Sequence, residues 1–249
     1  MSIKSKYITP KFKKEYNPKI GLLALSTDLT IEKDFNAVCN RLPLDIFVNR
    51  IHNENPLTKE NLVKMRDKIQ PITEKILPGE KVNTVAYGCT SGTIAIGEDE
   101  VREKIQLAKP DCYVTTPITS AIKAFELMKI KKISIFTPYP DSVNKTIYEY
   151  FSKKKINVLS FGTFNLELDS DFANIDPKHL YETLINLETK DAEALFVSCT
   201  ALPVLEILDE VEKKINKPVF SSNQTLIWDT IRSAGYKSSI EGYGKLLRN

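Results

Sequence analysis

Short apolar runs alternate with amphipathic stretches along almost the whole chain. The apolar runs have the length of strands, and the stretches between them repeat apolar residues at helical spacing. Strands that alternate with helices of ten or more residues are typical of parallel sheets with crossover helices, so the pattern predicts an α/β fold. The predicted strands are residues 19–26, 82–88, 112–116, 132–139, 156–162, 193–199 and 218–222, and the predicted helices are 61–77, 99–108, 119–130, 142–155, 203–216 and 223–235.

The chain contains a rough internal repeat. Ile20 and Cys89 are 69 positions apart, and Ile133 and Cys199 are 66 positions apart. Each cysteine is followed by an amphipathic stretch and then by a strand next to a proline. This spacing favours two α/β half-domains of about 110 residues that face one another. We predict a basic N-terminal arm at residues 1–19, a first lobe at 20–130 with a final helix free to pack on the other lobe, and a second lobe at 131–249.

Composition and charge are those of an ordinary globular protein. The 249 residues are 42% hydrophobic and 27% charged, with a formal net charge of +3, so the bulk electrostatics indicates neither nucleic acid nor a membrane. Six lysines and one glutamate lie in the first 19 residues. We interpret this tail as an arm packed on the body or on a neighbouring subunit, with an anionic partner as the alternative. No 18-residue apolar run and no apolar signal core occur, which favours a cytoplasmic protein.

The four cysteines fall into two groups. Cys39 and Cys112 lie in stretches that predict buried positions, where cysteine acts as a small hydrophobic side chain. Cys89 in AYGCTSG and Cys199 in FVSCTAL each end an apolar run and precede a turn of small residues. Because no CxxC spacing occurs and the chain has only two histidines, we expect neither a metal site nor a disulfide framework.

The matched cysteines indicate chemistry at the ends of two strands. Open α/β sheets bind ligands at the carboxyl ends of their strands, and the amides of a helix that begins there stabilise a thiolate and bind a carboxylate. The hydroxyls of Thr90 and Thr200 add donors next to the two sulfurs. Two opposed thiols suit a reaction in which a thiolate removes a proton from carbon or adds to it on one face, while the other thiol delivers a proton to the opposite face. Such a reaction needs neither a metal nor an organic cofactor.

The motifs around these cysteines resemble those of a known superfamily. GCTSG with Cys89, SCTAL with Cys199 and FTPY at 136–139 are similar to motifs of the Asp/Glu racemase superfamily, which includes aspartate, glutamate and hydantoin racemases, maleate cis-trans isomerase and arylmalonate decarboxylase. Within it, the chain resembles the branch of maleate isomerase and arylmalonate decarboxylase. The stretches LLALSTDLTIEKDF, YGCTSGTIAIGEDEV, FTPYPDSVN, SCTALP and SSNQTLIWD resemble the ectoine utilization protein A group most.

This resemblance implies a fold and several residue roles. It implies two Rossmann-like parallel-sheet half-domains related by pseudo-twofold symmetry, with the active site between them. It implies that Cys89 and Cys199 are the catalytic thiols; in maleate isomerases the first adds to the alkene and the second donates a proton. Tyr139 matches a tyrosine whose hydroxyl donates to a substrate carboxylate. Arylmalonate decarboxylase keeps only the second cysteine, so the presence of both argues against that activity.

Two positions depart from the maleate isomerase pattern. Asp28 in LSTDLT and, by a looser alignment, Asp169 in LELDSDF stand where maleate isomerases carry asparagines that bind carboxylates. An amide donates to a carboxylate, whereas an ionised aspartate only accepts, so a dicarboxylate opposite it in a desolvated cleft is unfavourable. Asp28 therefore suits a substrate with an ammonium or amide N–H. An Asx turn or helix N-cap before TIEKDF explains Asp28 equally well.

Other polar residues near the predicted strand ends are candidates for binding or for capping. Thr137, before Tyr139, is a candidate carboxylate ligand. Thr116 and Ser120 either bind a carboxylate or cap the helix that follows, and Asn223 is expected to cap the last helix. The predicted substrate-binding residues are Asp28, Thr90, Ser91, Thr137, Tyr139, Asp169, Thr200 and Ala201.

These observations favour one function over several others. We expect a cofactor-independent isomerase or racemase that acts on a small carboxylate with an amino or acylamino group. The resemblance to the ectoine utilization protein A group implies a role in ectoine breakdown. The alternatives are a maleate cis-trans isomerase, a non-catalytic small-ligand protein, and a nucleic-acid-binding protein that uses the basic tail. His52 in a polar loop and His179 on a predicted surface helix receive no role, and no GxGxxG or GxxxxGK[ST] motif indicates a nucleotide. We expect a homo-oligomer, a dimer or tetramer, without nucleic-acid or membrane partners.

Overall fold

The computed structural model describes residues 5–187 and 190–249. The described strands are β1 Lys19–Leu25, β2 Asp45–Ile51, β3 Thr84–Tyr87, β4 Tyr113–Thr115, β5 Lys132–Thr137, β6 Asn157–Thr163, β7 Ala194–Val197 and β8 Val219–Ser221. They form two four-stranded sheets with the orders β2-β1-β3-β4 and β6-β5-β7-β8. Every strand pair is parallel. The predicted α/β fold with two parallel-sheet halves is confirmed, and the two sheets have the same topology.

The central strands are apolar because helices cover both faces of each sheet. All four residues of β3 and of β7 are buried. Strand β2 lies at a sheet edge, and residues such as Asp45 and Arg50 stay exposed. These polar residues interrupt the apolar run, so the sequence pattern does not predict β2.

Helices connect the strands of both sheets. They are α1 Ile31–Cys39, α2 Lys59–Val63, α3 Arg66–Glu74, α4 Thr90–Ile96, α5 Glu98–Ala108, α6 Pro117–Leu127, α7 Asp141–Lys153, α8 Asp169–Ala173, α9 Pro177–Asn186, α10 Leu208–Ile215, α11 Ser222–Ser233 and α12 Lys245–Arg248.

The helix that ends each half packs on the sheet of the other half. Phe125 of α6 contacts Phe196 of β7 and Phe220 of β8 edge to face, with ring centroids 5.8 and 5.1 Å apart. In the opposite direction, Leu226 of α11 shares an apolar cluster with Leu22 of β1. This exchange joins the two sheets across one core. The boundaries expected for the arm and the two lobes stay predictions.

Two predicted helices differ from the observed ones. The stretch at 61–77 forms two helices, α2 and α3, which are separated at Lys64 and Met65. The stretch at 203–216 becomes helical only at Leu208, the first residue of α10. Because proline disfavours helical backbone in the residue before it, Pro203 keeps the turn after Cys199 out of a helix. The two cysteines therefore differ, since α4 begins directly after Cys89.

The N-terminal arm extends along the outside of the molecule. Residues 5–18 form no helix or strand, and four apolar side chains in this arm are largely exposed. They are Tyr7, Ile8, Phe12 and Tyr16. Across the described ranges, no helix has the length and apolar character needed to cross a membrane.

Candidate active site

Loops that follow strands of the two sheets meet in one buried region. Thr27, two residues after β1, donates a hydrogen bond to Asp169, at the start of α8 behind β6. Thr30 donates from Oγ1 to the carbonyl oxygen of Ala201 at 2.8 Å. Because these loops lie at the carboxyl ends of parallel strands, they meet where α/β sheets bind ligands.

Cys89 lies after β3 and caps α4. Its Sγ accepts the N–H of Gly92 at 3.2 Å and lies 3.9 Å from Oγ of Ser91. Only 3% of Cys89 is exposed. A Cβ on residue 92 would lie 2.7 Å from this sulfur, so only glycine lets the helix approach it this closely. The start of α4 thus sets the direction of the Cys89 thiol.

Cys199 occupies the corresponding place after β7. Its Sγ accepts the N–H of Ala201 at 3.3 Å, and its own N–H donates to Oγ of Ser222 at 3.0 Å. The Ser222 hydroxyl lies 2.8 Å from Oγ1 of Thr90, so it joins the two cysteine loops. Cys199 is also 3% exposed. The structure therefore brings both predicted thiols into the same buried region.

Tyr139 lies beside Cys199 in the loop after β5. Burial raises the pKa of the Cys199 thiol well above its usual value, and a hydrogen bond from the Tyr139 hydroxyl offsets part of this rise. Burial, and after it the negative charge of Cys199, raises the pKa of Tyr139 well above its usual value. Thr137 donates from Oγ1 to Asn144 at 2.6 Å and accepts the N–H of Tyr139 at 3.2 Å. The Thr137 hydroxyl thus shapes the turn that presents Tyr139, and this geometry offers no support for Thr137 as a carboxylate ligand.

Asp28 uses its two carboxyl oxygens differently. Oδ1 accepts the N–H groups of Thr30 and Ile31 at 2.8 and 2.9 Å, so the predicted turn before the first helix is confirmed. Oδ2 is buried and has no hydrogen-bond partner within the described residues. Burial raises the pKa of Asp28, while the backbone N–H groups of Ile31 and Thr30 lower it. The hydroxyl of Thr200 donates to the carbonyl oxygen of Gly88 at 3.4 Å. Oδ1 of Asp28 therefore stabilises the start of α1, and Oδ2 is a buried acceptor without a partner among the described residues.

Asp169 shares its hydrogen bonds with two residues of the first half. Oδ2 accepts from Thr27 and from Nδ2 of Asn53, the latter at 3.3 Å. Asn53 also donates to Oγ1 of Thr27 at 2.7 Å, and its Oδ1 is buried with no partner in the described structure. Burial raises the pKa of Asp169, and the charge of Asp28 raises it further. A second buried acceptor thus lies close to a second carboxyl.

Electrostatics links these carboxyls to both thiols. Burial is the largest cause that raises the pKa of Cys89, to about 12, and it raises the pKa of Cys199 well above its usual value. The charges of Asp169 and Asp28 raise both values further. Hydrogen bonds join the loops that carry these groups: Ser222 links the two cysteine loops, and Thr27 and Thr30 link the loop of Asp28 to Asp169 and to Ala201. The two thiols and the two carboxyls therefore lie in one buried region. A thiolate there needs a positive charge or further hydrogen-bond donors.

Asn223 has a different role from the expected one. Ser221 caps α11, since its Oγ accepts the N–H of Gln224 at 3.1 Å, so the prediction of Asn223 as the N-cap is wrong. Asn223 instead donates from Nδ2 to Oδ2 of Asp34 and to the carbonyl oxygen of Thr200, both at 2.7 Å. A capping residue precedes the first helical turn, and α11 begins one residue earlier than the sequence pattern indicates.

Sequence reasoning missed several residues of this region, among them Asn53 and Ser222. Asn53 follows β2, a strand that the apolar pattern did not predict, so nothing marked its carboxyl end as a place for ligands. Ser222 lies inside the SSNQTLIWD motif, and that motif is the only signal that could have drawn attention to it.

Two other candidates serve local structure. Thr116 caps α6, because its Oγ1 accepts the N–H of Thr119 at 3.3 Å. Ser120 donates to Oδ2 of Asp229 at 2.9 Å. The sequence left carboxylate binding and helix capping open for this stretch, and capping accounts for Thr116.

The remaining histidines and cysteines lie outside this region. His52 and His179 are exposed, and His179 stacks on Phe164 with ring centroids 5.8 Å apart. Cys39 and Cys112 are buried in apolar clusters, as expected for small hydrophobic side chains.

The thiols and carboxyls lie inside the protein rather than in an open cleft. A surface cavity of about 820 Å³ lies at the amino-terminal end of the first sheet, lined by Tyr16, Lys19, Phe47 and Asn83 among others. It is thus at the opposite end of the strands from the cysteines. Among residues 5–187 and 190–249, no group of three or more His, Cys, Asp and Glu side chains is arranged to hold a metal ion.

Comparison with protein families assigns the chain to a known family. Residues 95–247 match the family model described as arylmalonate decarboxylase, which is more than half of the chain. The chain belongs to the arylmalonate decarboxylase family. Within this family, it is similar to the maleate isomerase of Geobacillus stearothermophilus, at 23% identity over 245 residues, which cover 92% of this chain and 96% of that protein. It is also similar to the arylmalonate decarboxylase of Bordetella bronchiseptica, at 24% identity over 135 residues, which cover 53% of this chain and 56% of that protein.

Solved structures of the family have the same fold. The maleate isomerase Iso from Pseudomonas putida S16 aligns with a TM-score of 0.84 and 19% identity, over 93% of this chain and 98% of that one. A mutant of Nocardia farcinica maleate cis-trans isomerase with a covalently bound succinylcysteine intermediate aligns with a TM-score of 0.85 and 17% identity, over the same shares. The expected membership of the maleate isomerase and arylmalonate decarboxylase branch is therefore confirmed, and the named relatives are enzymes.

Proposed function

We propose that this protein is a cofactor-independent isomerase or racemase in which Cys89 and Cys199 act on a small carboxylate. One observation carries the proposal: the two thiols follow corresponding strands of the two sheets, and their loops, joined through Ser222, lie in one buried region with Tyr139, Asp28 and Asp169. Because the two cysteines occupy matched positions in halves of the same topology, we infer that the two thiols approach the substrate from opposite sides. The membership of a family of enzymes supports a catalytic role over mere binding.

In the racemase reaction, each thiol works on one face of the substrate carbon. A thiolate takes the α-proton, so the C–H bond breaks, an S–H bond forms, and the electron pair is delocalised into the adjacent carboxyl group as an enolate. The opposite thiol gives its proton to the other face, so a new C–H bond forms and a thiolate is left at that cysteine. The hydroxyl of Tyr139, beside Cys199, is our candidate donor to the substrate carboxyl group.

The substrate itself is the best source of positive charge for the thiolate. Burial raises the pKa of Cys89 to about 12, and Asp28 and Asp169 raise it further. An ammonium group held by these carboxyls would lower the pKa of both thiols, because an opposite charge nearby favours the charged form. A second carboxylate in the same place would raise it. This electrostatic balance supports an amino acid over a dicarboxylate.

Free acceptor atoms support the same class of substrate. Oδ2 of Asp28 and Oδ1 of Asn53 are buried and have no partner in the described residues. Buried polar atoms are nearly always hydrogen-bonded, so a ligand with N–H donors would satisfy them. We place the substrate among amino or acylamino acids, and the resemblance to the ectoine utilization protein A group adds ectoine breakdown as its setting.

Maleate cis-trans isomerisation is the second candidate, and one observation favours it. Burial raises the pKa of Asp28, and a protonated Asp28 would carry an O–H donor at Oδ2, as an amide carries N–H. A thiolate would then add to the alkene, the second thiol would protonate the carbanion, and rotation about the new single bond would precede loss of that proton and of the thiolate. The succinylcysteine of the Nocardia farcinica protein has the form of such an adduct.

Proton NMR of the enzyme in D₂O tests these candidates directly. The panel contains maleate, aspartate, glutamate, 2,4-diaminobutyrate and its N-acetyl derivatives. Cys89→Ser and Cys199→Ser are the test variants, and Cys39→Ser, buried at the end of α1 outside the site, is the matched control. We expect deuterium at the α-carbon of an amino or acylamino acid with the wild type and the control, and a loss of about a thousandfold or more with either test variant.

Each other outcome points elsewhere. Fumarate formed from maleate, again lost in both variants, would establish the second candidate in place of the first. Full turnover in both Cys→Ser variants would overturn the two-thiol mechanism. Ligand binding without turnover, unchanged in both variants, would indicate a non-catalytic binding protein.

A further inference from the structure

The two cysteine loops are held in place by different means. Cys89 is followed directly by α4, and the helix itself directs the Gly92 N–H at the sulfur. After Cys199 the backbone is not helical until Leu208. The N–H that contacts the Cys199 sulfur therefore depends on tertiary contacts for its direction.

Asn223 supplies one of these contacts. It lies in the first turn of α11, is 2% exposed, and donates both amide protons. One goes to the carbonyl oxygen of Thr200 and the other to Oδ2 of Asp34, each at 2.7 Å. These two short bonds fix the orientation of the amide group, so the Thr200 carbonyl has a fixed direction too.

The planar peptide group carries this direction to the sulfur. The carbonyl of Thr200 and the N–H of Ala201 belong to one peptide unit, and in a trans peptide they point in opposite directions. Holding the carbonyl toward Asn223 therefore turns the N–H toward Cys199, where it donates to Sγ at 3.3 Å. Thr30 holds the next carbonyl, that of Ala201, at 2.8 Å. Hydrogen bonds to two successive carbonyl oxygens, those of Thr200 and Ala201, thus fix the turn that follows Cys199.

Asp34 holds the amide from the far side. It lies on α1, is 6% exposed, and forms no ion pair among those found in the described residues. The charged residues that act on it are Asp28 and Lys33 near or on α1 and Glu206 before α10. A buried carboxyl without an ion pair is costly unless a hydrogen bond satisfies it, and Asn223 provides that bond.

We propose that Asn223 and Asp34 are positioning residues for Cys199: Asp34 orients the Asn223 amide, and Asn223 orients the peptide whose N–H donates to the Cys199 sulfur. This inference rests on the proposed function where turnover is concerned, but the geometric part stands apart from it. Neither residue touches the reacting carbon. Their effect on the reaction passes through the thiol, whose charged form the Ala201 N–H stabilises.

Amide hydrogen exchange across residues 199–205, followed by mass spectrometry, tests the geometry without any substrate. The variants are Asn223→Ala, Asp34→Ala and Asp34→Asn. Gln224→Ala is the matched control, because Gln224 is the next residue of α11, is also buried, and donates to the carbonyl oxygen of Tyr243 instead. We expect exchange in this turn to rise roughly tenfold in Asn223→Ala and Asp34→Ala. It should stay near the wild-type rate in Asp34→Asn, whose amide oxygen still accepts, and in Gln224→Ala.

Steady-state kinetics on the substrate found by NMR then tests the effect on Cys199. We expect kcat to fall roughly tenfold or more in Asn223→Ala and Asp34→Ala, with KM nearly unchanged and kcat restored in Asp34→Asn. Unchanged exchange and unchanged kcat in a folded Asn223→Ala would overturn the inference, and so would an equal effect of Gln224→Ala. If Asn223→Ala does not fold, the two Asp34 variants decide. If no compound is turned over, the proposed function fails while the exchange data still decide the positioning role.

Discussion

At the scale of single residues, we propose that Asp28 selects the substrate. One carboxyl oxygen caps α1 and the other has no partner within the described residues. Ionised, the free oxygen accepts from an ammonium or amide; protonated, it donates to a carboxylate. On this proposal, the same atom would serve either candidate reaction, in opposite protonation states.

Replacing Asp28 by asparagine separates these two states. With an amino-acid substrate, we expect Asp28→Asn to lower kcat/KM by roughly 10- to 100-fold, because a charged hydrogen-bond acceptor is lost. The measurement is kcat/KM from pH 5 to 9. Asp176→Asn is the control, since Asp176 also caps a helix, α9, but is exposed and distant in sequence from the thiols.

A dicarboxylate substrate would give the opposite result. Because the pKa of Asp28 is raised, activity on maleate should fall as the pH rises and the carboxyl ionises. Asp28→Asn should then remove this decline. Wild-type activity that is independent of pH, together with an inert Asp28→Asn substitution, would contradict both roles.

Asp34 gives a residue-level prediction for stability. Burial raises its pKa from 3.8 to about 7 in the folded protein, so folding favours its protonated form. Its contribution to the free energy of unfolding is full below about pH 4 and is lost as the pH rises through about 7. Asp34→Asn does not titrate, so its stability relative to the wild type should increase between pH 5 and pH 8. Urea denaturation at several pH values measures this, with the exposed Asp171→Asn as control; parallel curves would refute it.

At the scale of elements, the exchange of α6 and α11 makes the two halves depend on each other. Phe125 of α6 is fully buried against aromatic rings of the second half. Trp228, the single tryptophan, lies on α11 and packs beside the apolar cluster of the first half. A substitution in the α6 contact should therefore also destabilise the half that contains the α11 contact.

Phe125→Ala tests this dependence. We expect the free energy of unfolding to fall by about 3–5 kcal/mol, because a large side chain is removed from a packed core. The urea midpoint from Trp228 fluorescence should shift together with that from far-UV circular dichroism. Phe12→Ala, at an exposed position of the arm, should change stability by less than about 0.5 kcal/mol. Separate midpoints for the two probes would mean that the halves unfold independently.

At the scale of the whole molecule, the basic arm leaves apolar side chains exposed. Tyr7, Ile8, Phe12 and Tyr16 are each more than two thirds exposed in the single chain. Extended apolar segments of this kind are typically covered by a partner. We predict a homo-oligomer in which the arm lies on a neighbouring subunit.

Deleting residues 1–17 tests the role of the arm. Light scattering after size exclusion should give a lower mass for the deletion variant than for the full chain. Replacing Lys11, Lys13 and Lys14 by alanine, with the apolar residues kept, should leave the mass unchanged. The same mass for the deletion variant and the full chain would contradict this role, and loss of assembly in the lysine variant would indicate an electrostatic contact instead.

Local pattern was enough to predict the class of fold and to single out Cys89 and Cys199. Apolar runs such as 82–88 can be buried on both faces only as inner strands of a covered sheet, so their alternation with helices indicated parallel sheets. The repeat indicated that Cys89 and Cys199 occupy equivalent strand ends. Both inferences depend on local pattern and spacing, which a linear chain records directly.

The side chains that surround those cysteines could be found only from the folded protein. Asn53 follows the edge strand β2, which the apolar pattern does not reveal because the strand contains polar residues. Asp34 and Asn223 are 189 positions apart, yet they are hydrogen-bonded. Asn223 lies in the first turn of α11 because Ser221 is the N-cap, and its amide donates to the Thr200 carbonyl and to Asp34 because the chain brings α1 and the Cys199 loop next to it. Contacts of this kind arise from the packing of distant segments, and no local pattern of residues encodes them.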